Sequence, residues 1–402
     1  MTLQNNTNKN LISIILLTSA ACLIYTINAG IRGNYGIMLN AISESSGLSY
    51  SSVSFVLAVG QLVFGLVQPV FGIVALKRST LFVLCCGILL MTSGLIMIPF
   101  CKSMWTLLLF LGILLPSGTG ALSFGVIMSA ITPKLGGNSA STVSGVVTAS
   151  VGIGSTLFSP AIQFLIAASG LIGTMVFLSI PTLLLLPVVF WMCSPKAGQA
   201  DAIMRTTSEN VQIKTLFSEA FRNRAYQFLV IGFFTCGFHM TIIGTHLFTQ
   251  ITTYGFSRET AAYAFSIYGI STMVGSIISG ALCGRVPMRR VLGFLYGART
   301  VMIVVFLLAP KTLLTVCVFT ALLGSTGSAT VPPTSGLVNR VFGAAKLATL
   351  FGFAFFAHQI GGFFSAWLGG VCVSSTGSYT LIWCASAALS LLASVVSFMI
   401  SE

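Results

Sequence analysis

The chain has 402 residues, of which 55% are hydrophobic and only 6% charged, with a mean hydropathy of +1.00. Soluble domains carry about 25% charged residues, so this composition excludes a water-soluble core and identifies an integral membrane protein. The formal charge of +13 invites a nucleic-acid partner, but the basic residues fall where a bilayer accounts for them, and no nucleic acid is expected.

The first apolar stretch starts at Leu11. It is too long for a signal-peptide core and is followed by further apolar runs, so it is expected to remain as a helix. Runs long enough to cross a bilayer, about 20 residues each, fall near 11–39, 51–75, 79–100, 105–130, 139–166 and 170–193. A polar stretch from Ser194 to Arg224 follows. Six more runs lie near 225–251, 259–283, 291–309, 312–337, 346–371 and 378–400. The sequence therefore predicts an all-α membrane protein with twelve transmembrane helices, numbered here as spans one to twelve. Residues 1–193 form an amino-terminal six-helix bundle, 194–224 a linker and 225–402 a carboxy-terminal six-helix bundle. Within the linker, Val211, Leu216, Ala220 and Phe221 predict the apolar side of a short surface helix.

With the amino terminus inside, fourteen Lys and Arg fall in inner loops and tails, five of them in the linker. Only Lys102, Arg258 and Lys311 fall outside. By the positive-inside rule both termini, and the linker, are cytoplasmic. The two remaining cations, Arg32 and Arg299, lie inside spans. All six acidic residues, Glu44, Asp201, Glu209, Glu219, Glu259 and Glu402, lie in predicted loops or tails. The ten cysteines sit mostly within apolar runs, without a metal-type CxxC. They read as small packing residues, and no metal or cofactor is expected.

The two halves repeat. At an offset of 208, Gly36, Gly47, Ser49 and Gly72 fall on Gly244, Gly255, Ser257 and Gly280. At 207, Gly120, Gly136, Gly145, Gly154 and Gly170 fall on Gly327, Gly343, Gly352, Gly361 and Gly377. Because six is even, the two copies are parallel repeats, which enclose a pocket near the bilayer midplane and work by rocking.

A twelve-span, six-plus-six chain with a basic central loop resembles the major facilitator superfamily. The stretch Gly280-Ala-Leu-Cys-Gly-Arg285-Val-Pro-Met-Arg289-Arg290 is similar to its loop motif between the second and third helices, with Gly284 where that family has an acid. The first copy, Gly72-Ile-Val-Ala-Leu-Lys77-Arg78, is shorter and also lacks the acid. The run from Gly30 to Ser43, then Gly47-Leu-Ser, resembles a bacterial branch of monocarboxylate-transporter-like and oxalate–formate-exchanger-like proteins. Ala329 to Gly336 and Leu350 to Gly361 resemble the same branch. The resemblance implies a secondary transporter in a bacterial inner membrane, with a cation near Arg32 and a polar or basic group in span eleven, where His358 and Gln359 lie; a helix–helix hydrogen bond beside Gly361 and Gly362 is the alternative for that pair. It implies anion binding.

Tyr25, Asn28, Arg32 and Tyr35 follow one another at helical spacing and share one face. Arg32 has two readings. In one the helix ends near Ile31 and the side chain snorkels to the outer interface, since 21 residues from Leu11 span about 30 Å. In the other the helix continues past Gly36, and Arg32 becomes an anion clamp in a cavity, because an intramembrane cation marks a functional site. In span seven Thr235, His239, His246 and Thr249 lie on roughly one face. With no carboxylate in any span, histidines are the groups that titrate near neutral pH. Histidine packing is the alternative. Arg299 in span nine contacts substrate or ties helices together through backbone carbonyls. Gln61 in span two and Tyr268 in span eight are uncharged wall candidates, or packing residues.

There is no P-loop and no acidic partner for a catalytic triad in the spans, so an enzyme is not expected. An intramembrane charge of +2 from Arg32 and Arg299 favours an anionic substrate. The expected function is secondary transport of a small organic anion, a mono- or dicarboxylate, by a monomer through proton symport or anion exchange. Efflux of a neutral or amphipathic compound, and a non-transporting sensor, are the alternatives.

Overall fold

The computed structural model describes residues 2–135, 137–194 and 213–401. Span one runs Thr2–Arg32 and, after a turn at Gly33 and Asn34, continues as Tyr35–Ser46. Span two is Tyr50–Lys77 and span three Thr80–Met97. Span four covers Met104–Ile131, with π-helical turns over Leu108–Leu114 and a break after Ala121. Spans five and six are one run, Gly137–Leu183, bent at Gly170 (φ 64°, ψ −169°) and followed by Leu185–Met192. Span seven is Arg224–Thr253, with a π-helical turn over Ile243–Leu247. Spans eight and nine are Arg258–Cys283 and Met288–Leu308. Span ten covers Leu313–Phe342 with a break at Gly327, and spans eleven and twelve are Ala344–Thr376 and Thr380–Phe398.

Among the described residues ten helices are long and apolar enough to cross a membrane. Dividing spans five and six at Gly170 and adding the 33-residue span eleven gives twelve crossings. Trp105, Phe164, Phe294, Leu308 and Leu314 are exposed on the outside of the assembly, as side chains solvated by lipid are.

The repeat is visible in the turns. Gly47-Leu-Ser49 and Gly255-Phe-Ser257 put a glycine in the left-handed region, φ 72° and 89°, where a side chain is strained. The serine then caps the next helix by accepting from the amide three residues on, Ser52 or Thr260. Gly170 and Gly377 are a second left-handed pair.

Two boundaries differ from those expected. Spans five and six are joined because Gly170 alone makes the turn between them. Span one persists to Ser46 rather than ending near residue 39. Its polar residues find partners there: Asn34 Nδ2 donates to the Gly30 carbonyl (2.6 Å) and Asn40 Nδ2 to Thr249 Oγ1 (3.3 Å). The described part of the linker is a helix, Ile213–Arg222, with Ala220 buried and the Phe221 ring 5.7 Å from that of Tyr226. Val211 lies outside the described residues.

Spans two and eleven pack together, as do spans five and eight, through small residues. Ser266 Oγ donates to the Thr156 carbonyl (2.9 Å) and Ser159 Oγ to that of Ala262 (2.8 Å). On the side away from the termini the contact is tight. A Cβ on Gly370 in span eleven would lie 2.5 Å from Ser54 Cβ in span two, and one on Gly36 in span one 2.7 Å from the Gly244 oxygen in span seven. Toward the termini spans two, five, eight and eleven carry glycines that face open space, Gly72, Gly145, Gly280 and Gly352. Those four are two repeat pairs. The molecule is closed on one side and open on the side of its termini.

Candidate functional site

Arg32 ends the first helix segment of span one, where a cation complements the free carbonyls of the last turn. Its guanidinium lies over the ring of Phe64, 4.3 Å from the centroid, and Phe64 stands midway along span two. The side chain is half-buried and, among the described residues, has no hydrogen bond or ion pair. One turn further along, Gly36 is packed against span seven, so Arg32 lies one turn from the closed contact.

Its charge reaches the phenols of Tyr25, Tyr35 and Tyr268. Tyr25 leans on Phe124, with ring centroids 6.0 Å apart. Tyr35 is buried and its hydroxyl has no partner among the described residues. Tyr268 reaches in from span eight and donates to Met240 Sδ at 3.2 Å. By the repeat, Met240 occupies the position of Arg32 in span seven.

The opposite wall is aromatic. Phe64 meets Phe355 at 6.2 Å with an interplanar angle of 65°, and Phe355 stacks on the half-buried His358 at 5.4 Å and 5°. His358 Nδ1 lies 2.8 Å from Gln359 Oε1. An amide oxygen only accepts, so Nδ1 carries the proton and Nε2 the lone pair. Gln359 Nε2 donates to the Gln61 carbonyl (3.4 Å), tying span eleven to span two, and the Gln61 side chain lies beside Gly362. Arg32 and His358 are half-buried on either side of the Phe64–Phe355 pair, and Tyr35, Tyr268, Gln359 and Gln61 are buried around them.

The remaining candidates face elsewhere. Asn28 is buried, and its Nδ2 donates to the carbonyls of Thr119 (3.0 Å) and Leu122 (2.8 Å), the groups freed by the break in span four. Its repeat partner is Cys236, at the equivalent break in span ten, with Sγ 3.8 Å from the Gly327 oxygen and 3.1 Å from Thr330 Oγ1. A thiol lacks two N–H groups, and Arg299 supplies donors instead: its Nη2 bonds the carbonyls of Thr326 (2.6 Å) and Gly327 (3.4 Å). Arg299 is fully buried there, 5.3 Å from the Tyr296 ring, and caps a broken helix rather than lining the space around Arg32.

The histidine face of span seven also turns away from Arg32. His239 is fully buried against span twelve, with Nδ1 3.1 Å from Ser386 Oγ and its ring 6.1 Å from that of Trp383. His246 belongs to the closed contact. Its Nε2 lies 2.9 Å from the Ala366 oxygen, which only accepts, so Nε2 carries the proton and Nδ1 accepts from the Tyr50 hydroxyl at 2.8 Å. Tyr50 in turn accepts from Tyr379 at 3.0 Å. Both ring nitrogens of His246 are satisfied. Helical spacing put these groups on one face of span seven, but it did not say which neighbour that face meets.

Sequence reasoning missed Phe64, Phe355 and Tyr50. Phe64 stands three residues after Gln61 on the same side of span two, which was the available signal. In a chain with 31 phenylalanines it did not stand out.

Residues 21–312 and 251–402 match the family model of the Major Facilitator Superfamily. The uncharacterized MFS-type transporter YcxA of Bacillus subtilis (strain 168) is 27% identical over 204 residues, covering 49% of this chain and 48% of that one. The chain thus spans about half the length of the curated relative it matches. Among solved structures, a D-xylose–proton symporter aligns with a TM-score of 0.73 at 13% identity, covering 97% of both chains. The E. coli fucose–proton symporter FucP aligns at 0.64 and 14% identity, covering 98% of this chain and 99% of that one. At those identities the likeness carries the fold alone. The chain is a multi-pass integral membrane protein of the major facilitator superfamily, a family of transporters and not of enzymes.

Proposed function

We propose that this protein is a secondary transporter of a small organic anion, a mono- or dicarboxylate, with Arg32 as the group that clamps it. One observation carries the reading: a guanidinium at mid-depth that keeps its donors free of the protein while resting on an aromatic face. A carboxylate satisfies a guanidinium bidentately, and the ring of Phe64 holds the guanidinium plane for it. Tyr268 offers a hydroxyl, Tyr35 lies buried beside Arg32, and His358 offers, when protonated, a second positive charge.

Residues 1–193 and 225–402 act as two six-helix halves that rock about the bound anion. Both termini lie in the cytoplasm of a bacterial cell, which the fourteen-to-three charge distribution supports. The state described here is then open to the cytoplasm. An unpaired guanidinium between closing walls is costly, so occupation of the site favours closure. Proton symport through His358 and exchange of one anion for another are the two coupling modes this site permits.

Uptake into proteoliposomes of a panel of mono- and dicarboxylates, wild type beside Arg32→Gln, tests the proposal. Uptake of at least one carboxylate that the substitution abolishes is the expected result. Equal uptake by both proteins sinks the clamp. Transport of lipophilic compounds instead supports efflux, and ligand-induced stabilisation without flux supports a sensor.

A further inference from the structure

A second polar cluster lies within spans seven to twelve, apart from Arg32. Arg299, His239 and Ser390 are each fully buried, at 0% exposure. Arg299 spends Nη2 on the break in span ten, while its Nε and Nη1 have no hydrogen-bond partner among the described residues. The same is true of His239 Nε2 and Ser390 Oγ.

Neighbouring contacts bring these atoms to one level. Span nine is held against span twelve by Ser394 Oγ donating to the Gly293 carbonyl (2.8 Å) and Thr300 Oγ1 to that of Ala387 (3.4 Å). Ser390 stands between those two bonds, opposite the turn that carries Arg299. Span seven is fixed to the same stretch of span twelve by Thr235 Oγ1 donating to Leu389 (3.5 Å) and by the His239–Ser386 pair at 3.1 Å. The charge of Arg299 reaches His239.

The chemistry of the cluster has one sign. Arg299 and Ser390 present N–H and O–H groups, and His239 adds an N–H at Nε2 in the tautomer in which Ser386 donates to Nδ1. Spans seven, nine, ten, eleven and twelve contain no Asp or Glu. A buried cation with unmet donors and no acidic partner calls for an anion. We propose that Arg299, His239 and Ser390 hold a small inorganic anion of the size of chloride inside the carboxy-terminal helices. The ion is a resident part of the bundle and not the cargo, because its ligands are sealed from the space around Arg32. The inference is independent of what Arg32 binds.

Thermal unfolding of the purified protein in nanodiscs, with chloride exchanged for gluconate at constant ionic strength, tests it. The midpoint is expected to rise saturably with chloride, because a ligand that binds only the folded state stabilises it. Arg32→Gln should retain the effect. Ser390→Ala, which removes one donor and leaves the cap on span ten intact, should raise the chloride concentration for half effect on the order of tenfold. Crystals grown in bromide should give an anomalous peak beside Arg299. Equal midpoints in the two salts together with no bromide peak mean that the donors hold water only, which overturns the proposal. So does loss of the chloride effect in Arg32→Gln, because the ion then sits in the central space.

Discussion

At Arg32 the protein keeps a cation at mid-depth with an aromatic ring as its one close partner among the described residues. A cation–π contact contributes about 0.5–2 kcal/mol depending on desolvation. Phe64→Leu should therefore raise KM for the transported anion by about 2- to 30-fold, because the guanidinium loses its platform while the wall stays apolar. Uptake kinetics in proteoliposomes measure this. Asn28, by contrast, is a structural residue. Asn28→Ala leaves two buried carbonyls unpaired at the break in span four and should cost about 2–3 kcal/mol, visible as a lower unfolding midpoint with KM unchanged in the protein that remains folded. Arg32 was legible because a charge in an apolar run is conspicuous. The choice between the two readings of His239 was not legible for the opposite reason: the period of 3.6 identifies a face, while its partners Ser386 and Trp383 lie about 150 residues away.

Among the helices, the turns were legible and the contacts were not. The pairs Gly47 with Gly255 and Gly170 with Gly377 came from the repeat, and each proves to need a positive φ. Nothing in the sequence distinguished glycines that touch another helix from those that face open space. A Cβ on Gly237 would overlap the His358 carbonyl oxygen, whereas one on Gly72 or Gly280 meets nothing within 4 Å. Gly237→Ala should therefore disrupt the packing of span seven on span eleven by several kcal/mol or prevent folding. Gly72→Leu and Gly280→Leu should leave the unfolding midpoint within a few degrees of wild type yet slow turnover, if the proposed rocking closes the space these positions face. Fluorescence size-exclusion and uptake rates separate the two outcomes.

For the whole molecule, the apolar runs gave twelve crossings and the spacing of glycines an internal duplication, while which side is closed depends on contacts between spans far apart in the chain. Asn40 and Thr249 join the halves at 3.3 Å on the closed side, beside the chain from Tyr379 through Tyr50 to His246. The pair Asn40→Cys and Thr249→Cys, cross-linked by oxidation, should hold the closed side shut and stop uptake, with activity restored by a reductant. Undiminished uptake by the cross-linked protein would argue against rocking about this contact. The central claim is that Arg32 holds the transported anion, and equilibrium binding of carboxylates to the protein in nanodiscs tests it most directly. For a carboxylate that wild type transports, Arg32→Gln should weaken binding by about 10- to 100-fold, as expected for loss of charge-assisted hydrogen bonds. Arg32→Lys, which keeps the charge and loses the fork, should fall between. An Arg32→Gln protein that binds the same carboxylate as tightly as wild type would contradict the account.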